Sequence, residues 1–127
     1  MLTERRVHTT LPAADLERAR GFYEGTLGFT PAAVLPGGVR YLGADGTAFL
    51  VYPTQGAPSG THTQMGFSVS DIEAEVAALR AKGISFESYD FPGFDRQTSI
   101  ATFPGTRSAW FKDTEGNLLG IVQLTSP

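Results

Sequence analysis

The stretch "HTTLPAADLE" (residues 8–17) returns in altered letters as "QMGFSVSDIE" (residues 64–73). A shift of 56 positions lays His8 on Gln64, Leu11 on Phe67, Ala13 on Val69, Asp15 on Asp71, Leu16 on Ile72 and Glu17 on Glu73. Both copies open with strict alternation. Val7, Thr9, Leu11 and Ala13 share one face and His8, Thr10, Pro12 and Ala14 the other; Met65, Phe67 and Val69 oppose Gln64, Gly66 and Ser68. A period of two is a strand with unlike faces. Each strand runs into an aspartate, Asp15 or Asp71, whose carboxylate can accept from the orphan N–H groups that open a helix. Leu16, Ala19, Phe22, Tyr23 and Leu27 then form a helical stripe that Gly28 ends, and Ile72, Val76, Leu79 and Arg80 form one that Gly83 ends.

Outward from each copy the pattern continues in short strands. Residues 31–35, 39–42 and 47–52 are separated by "PGG" and "GADGT", both turn chemistries, and a connector "PTQGAPSGTH" follows over residues 53–62. Residues 84–88, 99–103 and 107–112 answer them, and "DTEGN" turns the chain into a last strand at 118–124. A second shift, of 70, lays the turn at Asp45 and Gly46 on Glu115 and Gly116. Each half is therefore read as a strand, a helix and three strands, with one further strand candidate in the second, and at this size neither half buries a sufficient core alone. The expected architecture is α+β: one domain over residues 1–127, built of two tandem βαβββ modules (about 5–53 and 63–125, with a connector at 54–62). These are expected to form a curled mixed sheet with helices on the convex side and a concave cup.

Composition narrows the function. The chain has 127 residues, 41% hydrophobic and 18% charged, which is a globular balance. A net charge of −3 with no Lys/Arg run argues against nucleic acid as a partner. With no cysteine, thiol nucleophiles, thiolate metal sites and disulfides are excluded. The opening "MLTERRVHTT" is too polar for a signal peptide, and no apolar run reaches the ~18 residues of a membrane span. A cytoplasmic protein with no membrane partner is expected. No P-loop, dinucleotide fingerprint or nucleophile elbow is present.

Taken together, His8, Leu11, Asp15 to Arg18, Phe22, Tyr23 and Leu27 to Phe29 in the first half, with "GFSVSDIEAEVAALRAKG" and "WFKDTEGNLLGIVQ" in the second, resemble the vicinal oxygen chelate superfamily. That superfamily is also called the glyoxalase / bleomycin resistance / extradiol dioxygenase group. The resemblance covers nearly the whole chain. It implies the paired-module fold and a homodimer, and it spans lyases, isomerases, dioxygenases and drug binders, so it does not select a chemistry. It also implies four metal-ligand positions, one at the start of each half's first strand and one on each half's last strand. Carried over, they fall on His8, Gln64, Leu50 (or Phe49 if the register slips by one) and Gly120. Leucine, phenylalanine and glycine offer no donor, and a glutamine carbonyl is a weak one. No metal or other cofactor is expected. His62, two residues before Gln64, is the one substitute donor nearby.

The face opposite the helices is then a pocket wall, mostly apolar with a few polar groups. His8, Thr10, Arg40, Leu50, Tyr52, Gln64, Ser68, Trp110 and Gly120 are its candidate ligand-binding residues. Between residues 89 and 97 runs "YDFPGFDRQ", whose Phe91 and Phe94 either close over a planar ligand or plug the core beneath the loop. Three functions stand at this point: a metal-free binder of an aromatic or apolar small molecule, as in drug resistance; a metal-dependent lyase, isomerase or dioxygenase of the glyoxalase type; and a metal-independent enzyme with His8 as its base.

Overall fold

The computed structural model describes residues 1–125. The chain divides into two compact units, one spanning Met1–Pro58 and one starting at Ser59. Each holds one copy of the repeat and one mixed sheet.

In the first unit, β1 (Thr9–Ala13) leads into α1 (Leu16–Arg20), and β2 (Pro31–Leu35), β3 (Gly38–Leu42) and β4 (Ala48–Pro53) follow. The sheet order is β1-β4-β3-β2, with β1 parallel to β4 and the other pairs antiparallel. The alternation expected from residue 7 starts later: Val7 precedes the strand and is exposed. From Thr9 onward it holds, since Leu11, Ala13, Val39, Tyr41, Phe49 and Val51 are all buried. Asp15 caps α1, its carboxylate accepting from the Arg18 N–H at 3.1 Å, a contact that stabilises a helix by about 1 kcal/mol.

The expected regular helix to Leu27 is not what forms. After Arg20 the turns widen into a π-helix at Gly21–Thr26, where the Leu27 N–H donates to the Phe22 carbonyl at 2.9 Å. Gly21 and Gly25, poor helix formers, lie in this segment and offer little to keep the tighter geometry. The widened turn serves packing. Tyr23 sits fully buried against Tyr41 (ring centroids 5.8 Å apart) and Phe49 (5.5 Å). Glu24 accepts from the Tyr41 hydroxyl at 2.8 Å and from Arg20 Nε at 2.7 Å. The Arg20 hydrogen bond holds the Glu24 carboxyl below its ordinary range, while burial, then Glu24 itself, push the Tyr41 phenol well above its own.

In the second unit, β5 (Met65–Ser68), α2 (Ile72–Ala81), β6 (Phe94–Asp95), β7 (Ile100–Phe103), β8 (Thr106–Lys112) and β9 (Leu118–Leu124) form a sheet of order β5-β9-β8-β7-β6. Here β5 is parallel to β9. Asp71 caps α2 through the Ala74 N–H at 3.1 Å. The helix buries Ile72 and Val76 and is tied to the sheet by Arg107 to Glu73 at 2.8 Å and by the Ile72 N–H to Gln123 Oε1 at 2.9 Å. The "DTEGN" turn is fixed by Asp113, whose carboxylate accepts from the N–H groups of Glu115 and Asn117, both at 2.9 Å, and from Asn117 Nδ2 at 2.7 Å.

The strand expected at residues 84–88 reduces to a single bridge, Phe86 with Phe111, supported by the Glu87 N–H to the Trp110 carbonyl at 2.8 Å. The reason lies in strand lengths. β7 pairs with only the Thr106–Ser108 end of β8, so the rest of that edge is free to take Phe86 and Glu87. The chain then leaves the ladder to build the aromatic loop, and the strand that follows is the two-residue β6. Ser99, expected to start a strand, instead ends a turn with φ of 61° and is held by Arg80 Nη2 at 2.9 Å.

The repeat survives at the level of register. Thr10, Leu50 and Arg40 are cross-strand partners in the first sheet, and Gly66, Gly120 and Trp110 are partners in the second. These two rows are related by the same shifts of 56 and 70 that relate the sequences.

Candidate functional site

In the second sheet, alternation along β8 sends Ala109 and Phe111 to the α2 side, where both are buried, and Ser108 and Trp110 to the opposite face. That face carries a continuous aromatic wall. Trp110 meets Tyr89 edge-on (5.5 Å, 89°), Tyr89 meets Phe94 (5.7 Å, 85°), Phe94 meets Phe91 (5.4 Å), and Phe91 stacks on Phe103 (5.9 Å, 14°). These spacings are in the range of favourable aromatic pairs. Four of the rings are half-buried and Phe103 is 40% exposed, so the wall presents apolar surface outward. The loop that carries Tyr89, Phe91 and Phe94 is seated by pairing of Phe94 with Ala101 and by the Thr102 N–H to the Gly93 carbonyl at 2.9 Å. Gly93 has φ of 93°, and a side chain there would meet the Thr102 carbonyl at 2.7 Å, so only glycine lets the loop lie this close to β7.

Trp110 is fixed at its other end. Its indole Nε1 donates to Thr63 Oγ1 at 2.9 Å. The ring lies over Gly120: a Cβ at that position would be 3.3 Å from Trp110 Cδ1, 3.4 Å from Nε1 and 3.2 Å from Thr63 Cγ2. Gly120 is thus the seat of the indole. Partial burial, with the Glu87 carboxylate as a second cause, raises the Tyr89 phenol above its ordinary range, so at neutral pH the hydroxyl is a neutral donor on the wall.

The remaining sequence-derived residues fall as follows. Gln64 follows Thr63; its N–H continues the ladder to the Leu118 carbonyl at 2.9 Å, and its side-chain carbonyl oxygen is buried with no hydrogen-bond partner. Ser68 is exposed at the end of β5, in register with Val122 and then Ser108. In the first unit, Thr10, Leu50 and Arg40 make one cross-strand row, with Tyr52 paired to Pro12 beside it. This row faces away from the buried Leu11, Val39 and Val51; Arg40 and Thr10 are exposed, and Leu50 and Tyr52 half-buried. His8 is exposed and precedes β1. His62 is exposed, with Nδ1 3.0 Å from the Ser59 hydroxyl. Thr63, Phe103 and Ser108 are added by the structure. The sequence placed Tyr89 in the loop but not its edge against Trp110.

The donor chemistry does not fit a catalytic metal. Of the four positions that the resemblance implies, Leu50 and Gly120 carry no donor atom, and Trp110 covers the space beside Gly120 into which one would project. A neutral amide at Gln64 and one imidazole at His8 fall short of the three or more ligands such ions take. Among the described residues, no three of His, Cys, Asp or Glu cluster in a way that could hold a metal ion. Among them, too, no helix is long and apolar enough to cross a membrane.

Known structures match the chain along almost its full length. A glyoxalase/bleomycin resistance protein/dioxygenase from Nocardioides is 23% identical with a TM-score of 0.68, covering 97% of this chain and 86% of that one. TnmS3, an antibiotic binding protein from Streptomyces sp. CB03234, is 22% identical with a TM-score of 0.70, covering 96% and 98%. A lactoylglutathione lyase from Agrobacterium tumefaciens is 22% identical with a TM-score of 0.63, covering 94% and 93%. At such identities the likeness speaks for the fold alone. No curated protein matches the chain. The family model of the Glyoxalase/Bleomycin resistance protein/Dioxygenase superfamily matches residues 5–121. The chain belongs to that superfamily.

Proposed function

We propose that this protein binds a small aromatic or apolar molecule without the help of a metal, in the manner of a drug-sequestering protein. The observation that carries the reading is the aromatic wall from Trp110 to Phe103 on the face of the second sheet away from its helix. Stacking on an aromatic side chain contributes on the order of 1–3 kcal/mol per ring, and several part-exposed rings in contact serve a planar ligand without any ionic or Lewis-acid contact. The lack of donors at Leu50 and Gly120 supports the metal-free half of the reading.

Within the second unit, Gln64, Ser68, Phe91, Phe94 and Trp110 line the site in this reading, and Gly120 seats the indole. The two modules act as one domain. The protein works as a cytoplasmic homodimer; Val34, Leu35, Leu42 and Leu124, apolar and exposed, support self-association.

The test pairs elemental analysis of untagged protein with a melting screen against aromatic compounds. The expected outcome is less than stoichiometric metal and upward melting shifts that chelator leaves unchanged. A ligand at a hundred times its Kd adds about 2.7 kcal/mol of stability. One Zn, Ni, Mn or Fe per chain, with shifts that vanish in chelator, would overturn the reading.

A further inference from the structure

We infer that the ligand of the aromatic wall is not an anion and bears neutral polar groups, such as hydroxyl or carbonyl, which Ser68 and Ser108 recognise. This inference rests on the aromatic-binding reading and adds the ligand's charge and polarity to it.

The face that carries the wall is traced by register. One row runs from Ser68 through Val122, Ser108 and Ala101 to Phe94, and the next runs from Gly66 through Gly120 to Trp110. Neither row contains a charged side chain. Among the described residues, two ion pairs adjoin the face. Lys112 Nζ lies 3.6 Å from Glu87 Oε1, and Arg96 Nη2 lies 3.4 Å from Asp90 Oδ1. The one arginine within β8, Arg107, is turned to the helix side and bound to Glu73 at 2.8 Å. Among the described residues of this face an anionic ligand would find no unpaired cation, and the negative faces of the rings would repel it. It would lose hydration without recompense, whereas a neutral ring would lose little.

Polar recognition then falls to hydroxyls. Ser68 and Ser108 stand two strands apart, on the order of 10 Å at ordinary strand spacing, with Val122 between them as an apolar floor. A serine hydroxyl both donates and accepts, so it suits a hydroxyl or a carbonyl. The Tyr89 hydroxyl, kept neutral by burial and by the Glu87 charge, belongs to the same chemistry.

The experiment uses the full chain and three probes of one ring size, followed by calorimetric titration: a naphthalenediol, naphthalene and naphthalenesulfonate. Trp110→Ala reports whether binding is at the wall. The expected result is that Trp110→Ala weakens both neutral probes and that naphthalenesulfonate binds at least about tenfold more weakly than the diol. Ser68→Ala and Ser108→Ala should each weaken the diol about fivefold, the effect of one neutral hydrogen bond, and leave naphthalene unchanged. If Trp110→Ala weakens the probes but the serine variants do nothing, or naphthalenesulfonate binds best, the inference is overturned while the aromatic-binding reading stands. If no probe binds, or Trp110→Ala changes nothing, that reading fails and the inference falls with it.

Discussion

Replacing Gly120 with alanine adds one methyl group at the point where the indole of Trp110 lies over β9. The new carbon would stand 3.2 Å from Thr63 Cγ2, 3.3 Å from Trp110 Cδ1 and 3.4 Å from Trp110 Nε1. Comfortable contacts between such atoms begin near 3.5 Å, so ring and threonine must both withdraw by a few tenths of an ångström. The ring has little freedom to do so, because Tyr89 abuts it edge-on at 5.5 Å and Thr63 holds Nε1 at 2.9 Å. Withdrawal stretches that hydrogen bond beyond its favourable length, a loss of about 1 kcal/mol, and overpacking adds about 1 kcal/mol at the low end of its usual range. Against this, alanine lowers the entropy of the unfolded chain relative to glycine, a gain of about 0.4–1 kcal/mol. The net is a destabilisation of about 1 to 1.5 kcal/mol, or roughly 3–6 °C in Tm for a chain of this size. The chain has a single tryptophan, so its emission reports this one ring. Thermal melts and tryptophan emission of Gly120→Ala, beside Thr63→Val as the loss of the hydrogen bond alone, check the argument. A Tm within 1 °C of the parent, with unchanged emission, would refute the placement of the indole.

Other consequences are as specific. Asp113→Ala removes the acceptor of three hydrogen bonds in the last turn; at about 1 kcal/mol each the expected loss is about 3 kcal/mol by urea unfolding. Asp71→Ala removes the cap of α2 and is expected to cost about 1 kcal/mol in the same assay. Glu24, held below its ordinary pKa of 4.5 chiefly by Arg20, contributes stability that is present above that value and is lost as pH falls through the lower folded value. Glu24→Gln should therefore flatten the acid limb of the stability curve, measured by urea melts from pH 7 downward, and a limb as steep as the parent's would contradict the assignment. Tyr41, raised above 10 by burial and Glu24, contributes stability present below 10 and lost as pH rises beyond it. A spectrophotometric titration should find that phenol ionising only together with alkaline unfolding.

What the sequence made legible was what is local or repeated. The caps at Asp15 and Asp71, the turns at Gly28 and Gly83 and the alternation of Leu11 with Ala13 and of Met65 with Phe67 depend on near neighbours. The shift of 70 made Arg40 and Trp110 repeat mates, and likewise Leu50 and Gly120; the structure pairs Arg40 with Leu50 and Trp110 with Gly120. The rest depends on contacts across strands. The alternation at Ile84 and Phe86 is real, since Phe86 packs on Phe111 at 5.6 Å, yet no full strand forms because the chain leaves the edge of β8 after Glu87. The π-helix after Arg20 answers to the packing of Tyr23 on Tyr41 and Phe49, which a helical period does not reveal. Thr63 sits in a connector with no periodicity, and its role follows only from the position of the indole. Phe103 and Ser108 join the wall through register with Thr106 and Ala101, a pairing invisible until the strand ends are known.

The central claim is that an aromatic molecule binds at Trp110 with no metal involved. A titration of the parent protein with a naphthalenediol, followed by heat release in matched buffers with and without excess EDTA, tests it most directly. The same saturable binding is expected in both buffers, weakened in Trp110→Ala. Binding that disappears with EDTA, or that Trp110→Ala leaves intact, would contradict it.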